Sequence, residues 1–159
     1  MSIFPTRILL ATDGSGEAEL AASTAADLAN STNSELHVVT VAPGTPDPVY
    51  HTHEAGLSYE TYEEALQAVK GEVQKVLDEQ VRKVEEAGGT VNEAHLRIGE
   101  RQDQAIVRSA EELGAGLIVL GSRGLGGMRR ALMGSVSDSV IRHAHCPVMV
   151  VRPEEQQAG

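Results

Sequence analysis

The stretch that decides the fold is LIVLGSRGLGGMRRALMGS, from Leu117 to Ser135. Its first four residues are apolar without alternation, a pattern typical of a strand that is covered on both faces of a parallel sheet. A glycine-rich loop follows, and Ser135 then begins a segment with the pattern of a helix. A strand, a glycine loop and a helix in this order are typical of a phosphate site at the carboxyl edge of a parallel sheet.

The loop has the chemistry that an anion requires. Its glycines allow positive φ angles and let backbone N–H groups approach a phosphate closely. We expect the helix at Ser135 to add N–H donors and the positive end of its dipole, with Asp138 completing a capping box. Arg123, Arg129 and Arg130 concentrate positive charge in an otherwise acidic chain. Glycine-rich loops also serve as plain tight turns, so the local chemistry alone leaves both interpretations open.

The rest of the chain alternates apolar, β-branched runs with helical patterns, which predicts a parallel sheet with crossover helices. Strands are predicted at residues 7–12, 35–42, 91–98, 117–120 and 148–151. Helices are predicted from near Ser15 and at residues 59–87, 102–113 and 135–144. The longest helix has apolar residues three and four positions apart, and we expect it to end at Gly88-Gly89. We expect the helix at residues 102–113 to end at Gly114.

The bulk properties limit the classes of function. The 159 residues are expected to form one domain, residues 1–159, with a core from about residue 5 to residue 152. A formal net charge of −10 disfavours contact with the phosphates of nucleic acid. One Phe and three Tyr residues provide too few rings for a platform on which bases could stack. We therefore expect no nucleic-acid partner.

The remaining compositional signals indicate an ordinary intracellular protein. The single cysteine, Cys146, excludes an internal disulfide, and the His and Cys residues do not have the spacing of a zinc site along the chain. We interpret His51 and His53 as solvated loop residues. The sequence shows no export signal and no run of about 20 apolar residues, so we expect no membrane association and a cytoplasmic location.

The glycine pattern has a counterpart in a known family. Gly121-x2-Gly124-x9-Gly134-Ser135 resembles the nucleotide-binding signature of ATP-binding universal stress proteins in both glycine intervals and in the terminal Ser. ILLATDGS at residues 8–15 resembles the opening strand and turn of that family, and AHCPVMVV at residues 144–151 resembles its closing strand. The resemblance implies a five-stranded parallel sheet of order 3-2-1-4-5 with helices on both faces. This is the Rossmann-like fold of the adenine nucleotide alpha hydrolases, with an adenine nucleotide across the carboxyl edge.

The resemblance also implies roles for single residues. The backbone of Val41 would hydrogen-bond adenine, and Ala11 and Thr12 would line the base pocket. Asp13 would meet ribose or a phosphate-bound Mg²⁺, as the only expected metal ligand. The ribose and phosphates of ATP, or of ADP or AMP, would contact Gly121, Ser122, Arg123, Gly124, Leu125, Gly126, Gly127, Gly134, Ser135 and Val136, with Ser137 beside them.

Three functions remain open at this point. The first is a dimeric nucleotide-binding regulator of the stress response. The second is a slow ATPase or a phosphate- or nucleotidyl-transfer enzyme, for which Arg123 or Arg129 could offset charge although the sequence shows no evident base. The third is a protein-interaction dimer that binds no nucleotide. The homodimer is expected to form through the apolar C-terminal strand, residues 147–152.

Overall fold

The computed structural model describes residues 1–12, 16–42, 59–122 and 134–152. Strands and helices alternate along them, as the sequence pattern predicts. In chain order the elements are β1 (Arg7–Ala11), α1 (Gly16–Thr32), β2 (Glu35–Val41), α2 (Tyr59–Glu86), β3 (Glu93–Arg97), α3 (Gln102–Leu113), β4 (Leu117–Gly121), α4 (Ser135–His143) and β5 (Val148–Val151).

The five strands form one sheet in the order β3-β2-β1-β4-β5, and every pair is parallel. This confirms the predicted fold class and strand order. Strand β1 lies at the centre, where Ala11 pairs with Val39 of β2 and with Leu120 of β4. The apolar run of β4 is buried from Leu117 to Leu120, as expected for an interior strand.

The side chains of β1 alternate between two helical layers. Ile8 and Leu10 pack in the core on the side of α1 and α2, whereas Leu9 and Ala11 pack in the core on the side of α3 and α4. Helix α1 approaches the sheet closely because its inward positions are alanines, which bring little side-chain volume between helix and sheet. Each of these is at most 5% exposed: Ala21, Ala22, Ala25, Ala26 and Ala29.

Glycines end two of the helices where the sequence predicts. After α2, Gly88 has a φ of 91°, and the N–H of Gly89 donates to the carbonyl of Val84 at 2.9 Å. After α3, Gly114 has a φ of 63°. Both positive φ angles are readily adopted by glycine and stop the helix without steric strain. In the described parts of the chain, no helix combines the length and apolar character needed to cross a bilayer.

Strand β3 is the element whose predicted bounds differ most from the observed ones. It begins at Glu93, two residues later than the prediction of residues 91–98. The reason is Asn92, whose backbone N–H donates to the carbonyl of Leu36 at 2.8 Å while its Oδ1 accepts from the N–H of Leu36 at 2.9 Å. The side chain of Asn92 thus replaces one bond of the ladder, and regular pairing starts only at the next residue.

Candidate functional site

The strand order reverses between β1 and β4 at the carboxyl edge of the sheet. From β1 the chain proceeds to β2 and β3 on one side, and then returns to β4 and β5 on the other. In open parallel sheets the crevice at such a reversal is the usual place for a ligand. The two turns for which the sequence predicts ligand contacts leave from these two strands, after Ala11 and after Gly121.

One wall of the crevice consists of the ends of β1 and β2. Ala11, Thr12 and Val41 are each 8% exposed or less. The N–H of Thr12 donates to the carbonyl of Val39 at 3.1 Å, which shows that Val39 directs its backbone groups towards β1. Val41 follows the same alternation, so its carbonyl points to the β1 side and lies beyond Thr12. The carbonyl of Val41 is therefore a backbone acceptor at the carboxyl edge of the sheet.

The opposite wall is formed where β4 leads into the loop and α4 leads out of it. The N–H of Ser122 donates to the carbonyl of Val151 at 3.0 Å, which extends the sheet by one position. The carbonyl of Ser122 accepts from the N–H of Gly134 at 2.8 Å. The chain therefore leaves the carboxyl edge of the sheet and returns to it at the same point. The buried hydroxyl of Ser137 donates to the carbonyl of Gly121 at 2.8 Å. These two bonds fix the start of α4 against the end of β4.

The predicted capping box at Ser135 and Asp138 is wrong. The N-cap of α4 is Gly134, with φ −60° and ψ 153°, and Ser135 is the first helical residue. The N–H of Asp138 donates to the carbonyl of Gly134 at 3.0 Å, and the Asp138 carboxylate pairs with Arg142 at 3.2 Å. Because glycine has no side chain, the first-turn N–H groups of α4 lack the partner that a Ser or Asp N-cap would supply.

Helix α4 is also held from the side by α3. The hydroxyl of Ser139 donates to the carboxylate of Asp103 at 2.7 Å, and Arg101 pairs with the same carboxylate at 3.0 Å. The bond from Ser139, more than any other contact, holds the pKa of Asp103 below its ordinary value. Sequence reasoning missed this contact, since a Ser and an Asp 36 residues apart carry no local signal. The contact joins the middle of α4 to the first turn of α3.

The structure thus places nine of the predicted site residues at one edge of the sheet: Ala11, Thr12, Val41, Gly121, Ser122, Gly134, Ser135, Val136 and Ser137. Their contact with a ligand stays a prediction. The other predicted site residues lie outside the described parts of the chain: Asp13, Arg123, Gly124, Leu125, Gly126 and Gly127.

Comparison with known proteins gives the same family that the glycine signature resembles. A model of the universal stress protein family matches residues 5–152. A protein of Staphylococcus haemolyticus (strain JCSC1435), named as a universal stress protein, is 34% identical over 148 residues, which is 93% of this chain and 85% of that protein.

Two solved structures are similar in fold and in sequence. The universal stress protein from Archaeoglobus fulgidus in complex with dAMP is 26% identical, with a TM-score of 0.63 over 94% of this chain and 99% of that chain. A universal stress protein family member from Burkholderia pseudomallei is 27% identical, with a TM-score of 0.66 over 95% of this chain and 98% of that chain.

Proposed function

The chain belongs to the universal stress protein family, and on that premise we propose that it binds ATP at the carboxyl edge and acts as a dimeric regulator of the stress response. One observation carries this proposal. At the reversal of strand order, the bond between Ser122 and Gly134 closes the base of the glycine loop next to the N-terminus of α4. In this proposal the carbonyl of Val41 accepts from the base, and the N–H groups at the start of α4 donate to the phosphates.

The adenine end of the nucleotide belongs at β1 and β2. The carbonyl of Val41 can accept a hydrogen bond from the exocyclic amino group of adenine, and the small side chain of Ala11 leaves space for the ring. Both residues are buried, so a base there would be shielded from water. The dAMP complex of the Archaeoglobus fulgidus relative supports an adenine nucleotide as the ligand, since dAMP has the same base.

The phosphate end belongs at β4 and α4. The first-turn N–H groups of α4 favour a negative charge, and in this proposal the glycine loop and Arg123 surround it. Mg²⁺ would bind between the phosphates and Asp13, which directly follows Thr12 at the end of β1. In a chain with a net charge of −10, this local excess of positive groups gives an anion its most favourable position.

Identification of the small molecule that survives purification tests the proposal. The protein would be purified without added nucleotide, denatured in acid and analysed by mass spectrometry, and then titrated with ATP and Mg²⁺ by calorimetry. We expect an adenine nucleotide in the denatured sample and one ATP site per chain in the titration. No nucleotide in the sample together with no heat of ATP binding would instead favour the interaction dimer that binds no nucleotide.

We predict that turnover of bound ATP is slow. Among the described residues that form the crevice, the polar side chains are the hydroxyls of Thr12, Ser122, Ser135 and Ser137, which are weak bases. Binding energy at such a site need not favour the transition state. Single-turnover assays with Mg²⁺ should give a rate far below the usual enzyme range of about 1 to 1,000 per second. A rate within that range would identify the protein as an ATPase.

We predict a homodimer through β5. This strand lies at the edge of the sheet, and Met149 is 36% exposed. The carbonyls of Pro147 and Val151 accept bonds from β4, so the backbone of Val150 points away from the sheet and can pair with a partner strand. Light scattering should give twice the 16.8 kDa chain mass.

Two substitutions at the same position test the dimer. Val150→Pro removes the outward N–H and should give a monomer, because the bonds between β4 and β5 use other residues. Val150→Thr keeps the N–H and a branched side chain, and it should remain a dimer. A monomeric parent at micromolar concentration, or a Val150→Pro variant that remains a dimer, would exclude this interface.

A further inference from the structure

Three potential metal ligands converge on one face of the sheet, on β2 and β3. They are Nδ1 of His37, Nε2 of His95 and a carboxylate oxygen of Glu93. His37 and Glu93 are paired in register, and His95 is two residues further along β3, so all three side chains point to the same face. His37 is only 5% exposed although it is polar. A buried imidazole requires polar partners for its ring nitrogens.

The distances between the three ligand atoms are close to those of a tetrahedral metal site. Nδ1 of His37 lies 3.4 Å from Nε2 of His95, and the Glu93 oxygen lies 3.6 Å from His95 and 3.9 Å from His37. Two ligand atoms that bind one Zn²⁺ at about 2.0–2.1 Å and a tetrahedral angle are separated by roughly 3.3 Å. Small rotations of the Glu93 side chain, which is 64% exposed, would bring its oxygen to this separation.

A fourth residue fixes the tautomer of His37 that a metal needs. Nε2 of His37 lies 3.1 Å from the carboxylate of Glu35, to which it donates its proton. In this tautomer of the neutral ring, Nδ1 has its lone pair on the side of the other two ligands. A carboxylate that accepts from the outer nitrogen of a ligating His is the usual support of such sites. The same bond is the main reason why the pKa of Glu35 is below its ordinary value.

We propose that His37, Glu93 and His95 bind a Zn²⁺ ion, with Glu35 as a positioning residue and with water at the remaining coordination position. Two imidazoles and one carboxylate form a donor set that zinc accepts, and the solvent-exposed side of Glu93 gives the ion access. Burial, together with the neighbouring His37, lowers the pKa of His95.

This site is distinct from the proposed nucleotide site. His37 precedes Val41 by four residues, which along a strand corresponds to roughly 13 Å towards the amino edge. The proposed Mg²⁺ ligand, Asp13, follows β1 and not β2 or β3. Zinc binding can therefore be measured without nucleotide, and its outcome does not depend on whether ATP binds.

A competition titration of Zn²⁺ between the full-length protein and a chromophoric chelator tests the proposal. The parent should bind one tight Zn²⁺ per chain. Glu93→Gln and His95→Ala should each lower the affinity by more than about a hundredfold, and Glu35→Gln by about 10- to 100-fold. Addition of Co²⁺ should give the intense visible absorption of tetrahedral coordination in the parent, and the Glu35→Gln variant should give the same spectrum at higher Co²⁺ concentration.

The other four histidines supply matched controls. The double variants His51→Ala/His53→Ala and His143→Ala/His145→Ala each remove two imidazoles and should retain the zinc affinity of the parent. Circular dichroism checks the fold of each variant, and if His95→Ala does not fold, the exposed Glu93→Gln decides the result. The proposal is overturned if the parent binds no zinc, if Glu93→Gln retains full affinity, or if a control variant loses it.

Discussion

A Gly124→Glu variant should bind ATP at least about a hundredfold more weakly than the parent, with the fold unchanged. In the proposed complex this residue belongs to the loop that surrounds the phosphates. A carboxylate about 4 Å from a phosphate charge at an effective dielectric constant of ~20 adds about 4 kcal/mol of repulsion. A hundredfold loss requires only about 2.8 kcal/mol, so the electrostatic effect alone is sufficient. Calorimetric titration with ATP and Mg²⁺ measures it.

Gly71→Glu is the matched control for this experiment. It makes the same change in charge, but Gly71 lies in α2, and a Cβ atom there would meet nothing within 4 Å. The control should bind ATP like the parent and should fold at least as stably, because glycine is unfavourable inside a helix. Unchanged ATP affinity in Gly124→Glu, or an equal loss in both variants, would mean that the phosphates do not bind at this loop.

A Leu10→Ala variant should lose about 3 kcal/mol of the free energy of unfolding. Leu10 is fully buried in the central strand, paired with Val38 on one side and Val119 on the other. The substitution leaves a cavity next to the alanines of α1, whose short side chains cannot fill it. Urea unfolding followed by circular dichroism gives the change, and the melting temperature should fall by roughly 6–12 °C.

The same substitution at Leu20 provides the comparison. Leu20 lies on α1 but is 39% exposed, so Leu20→Ala should change the free energy of unfolding by less than about 0.5 kcal/mol. Equal losses in the two variants would contradict the placement of β1 at the centre of the core.

Much of this fold is encoded in local sequence patterns. The uninterrupted apolar run at Leu117–Leu120 predicts an interior strand, because both faces of that strand have to be covered. The glycines at Gly88 and Gly114 predict helix ends, because they adopt positive φ angles readily. Such signals depend on residues that are neighbours in the chain. The strand order came from resemblance to a family, since no local pattern specifies which strands pair.

The features that were missed depend on contacts between distant parts of the chain. His37 and His95 are 58 residues apart, and only the parallel register of β2 and β3 brings them together. Spacing along the sequence therefore gave no indication of a zinc site. The capping box at Ser135 failed for the same kind of reason, because Gly134 takes the N-cap position and its N–H binds the carbonyl of Ser122 at the end of β4. The end of β4 thus determines where α4 begins.

The opposite edge of the sheet contains a second cleft that a nucleotide could occupy. It has a volume of about 370 Å³ and is lined by Pro5, Thr6, Arg7, Asn33, Glu35 and Gly114. Arg7 could attract a phosphate, although it already pairs with Glu35 at 3.1 Å. The two edges are far enough apart for a measurement with residue resolution to distinguish them.

Titration of ¹⁵N-labelled protein with ATP and Mg²⁺, followed by amide chemical shifts, tests the central claim most directly. The proposed site predicts saturable shifts at Thr12, Val41, Ser122 and Ser137, at the carboxyl ends of β1, β2 and β4 and in the first turn of α4. The amide of Asn33 at the amino edge should not shift. Saturable shifts confined to the amino edge, or no saturable shift at millimolar ATP, would contradict nucleotide binding at the carboxyl edge.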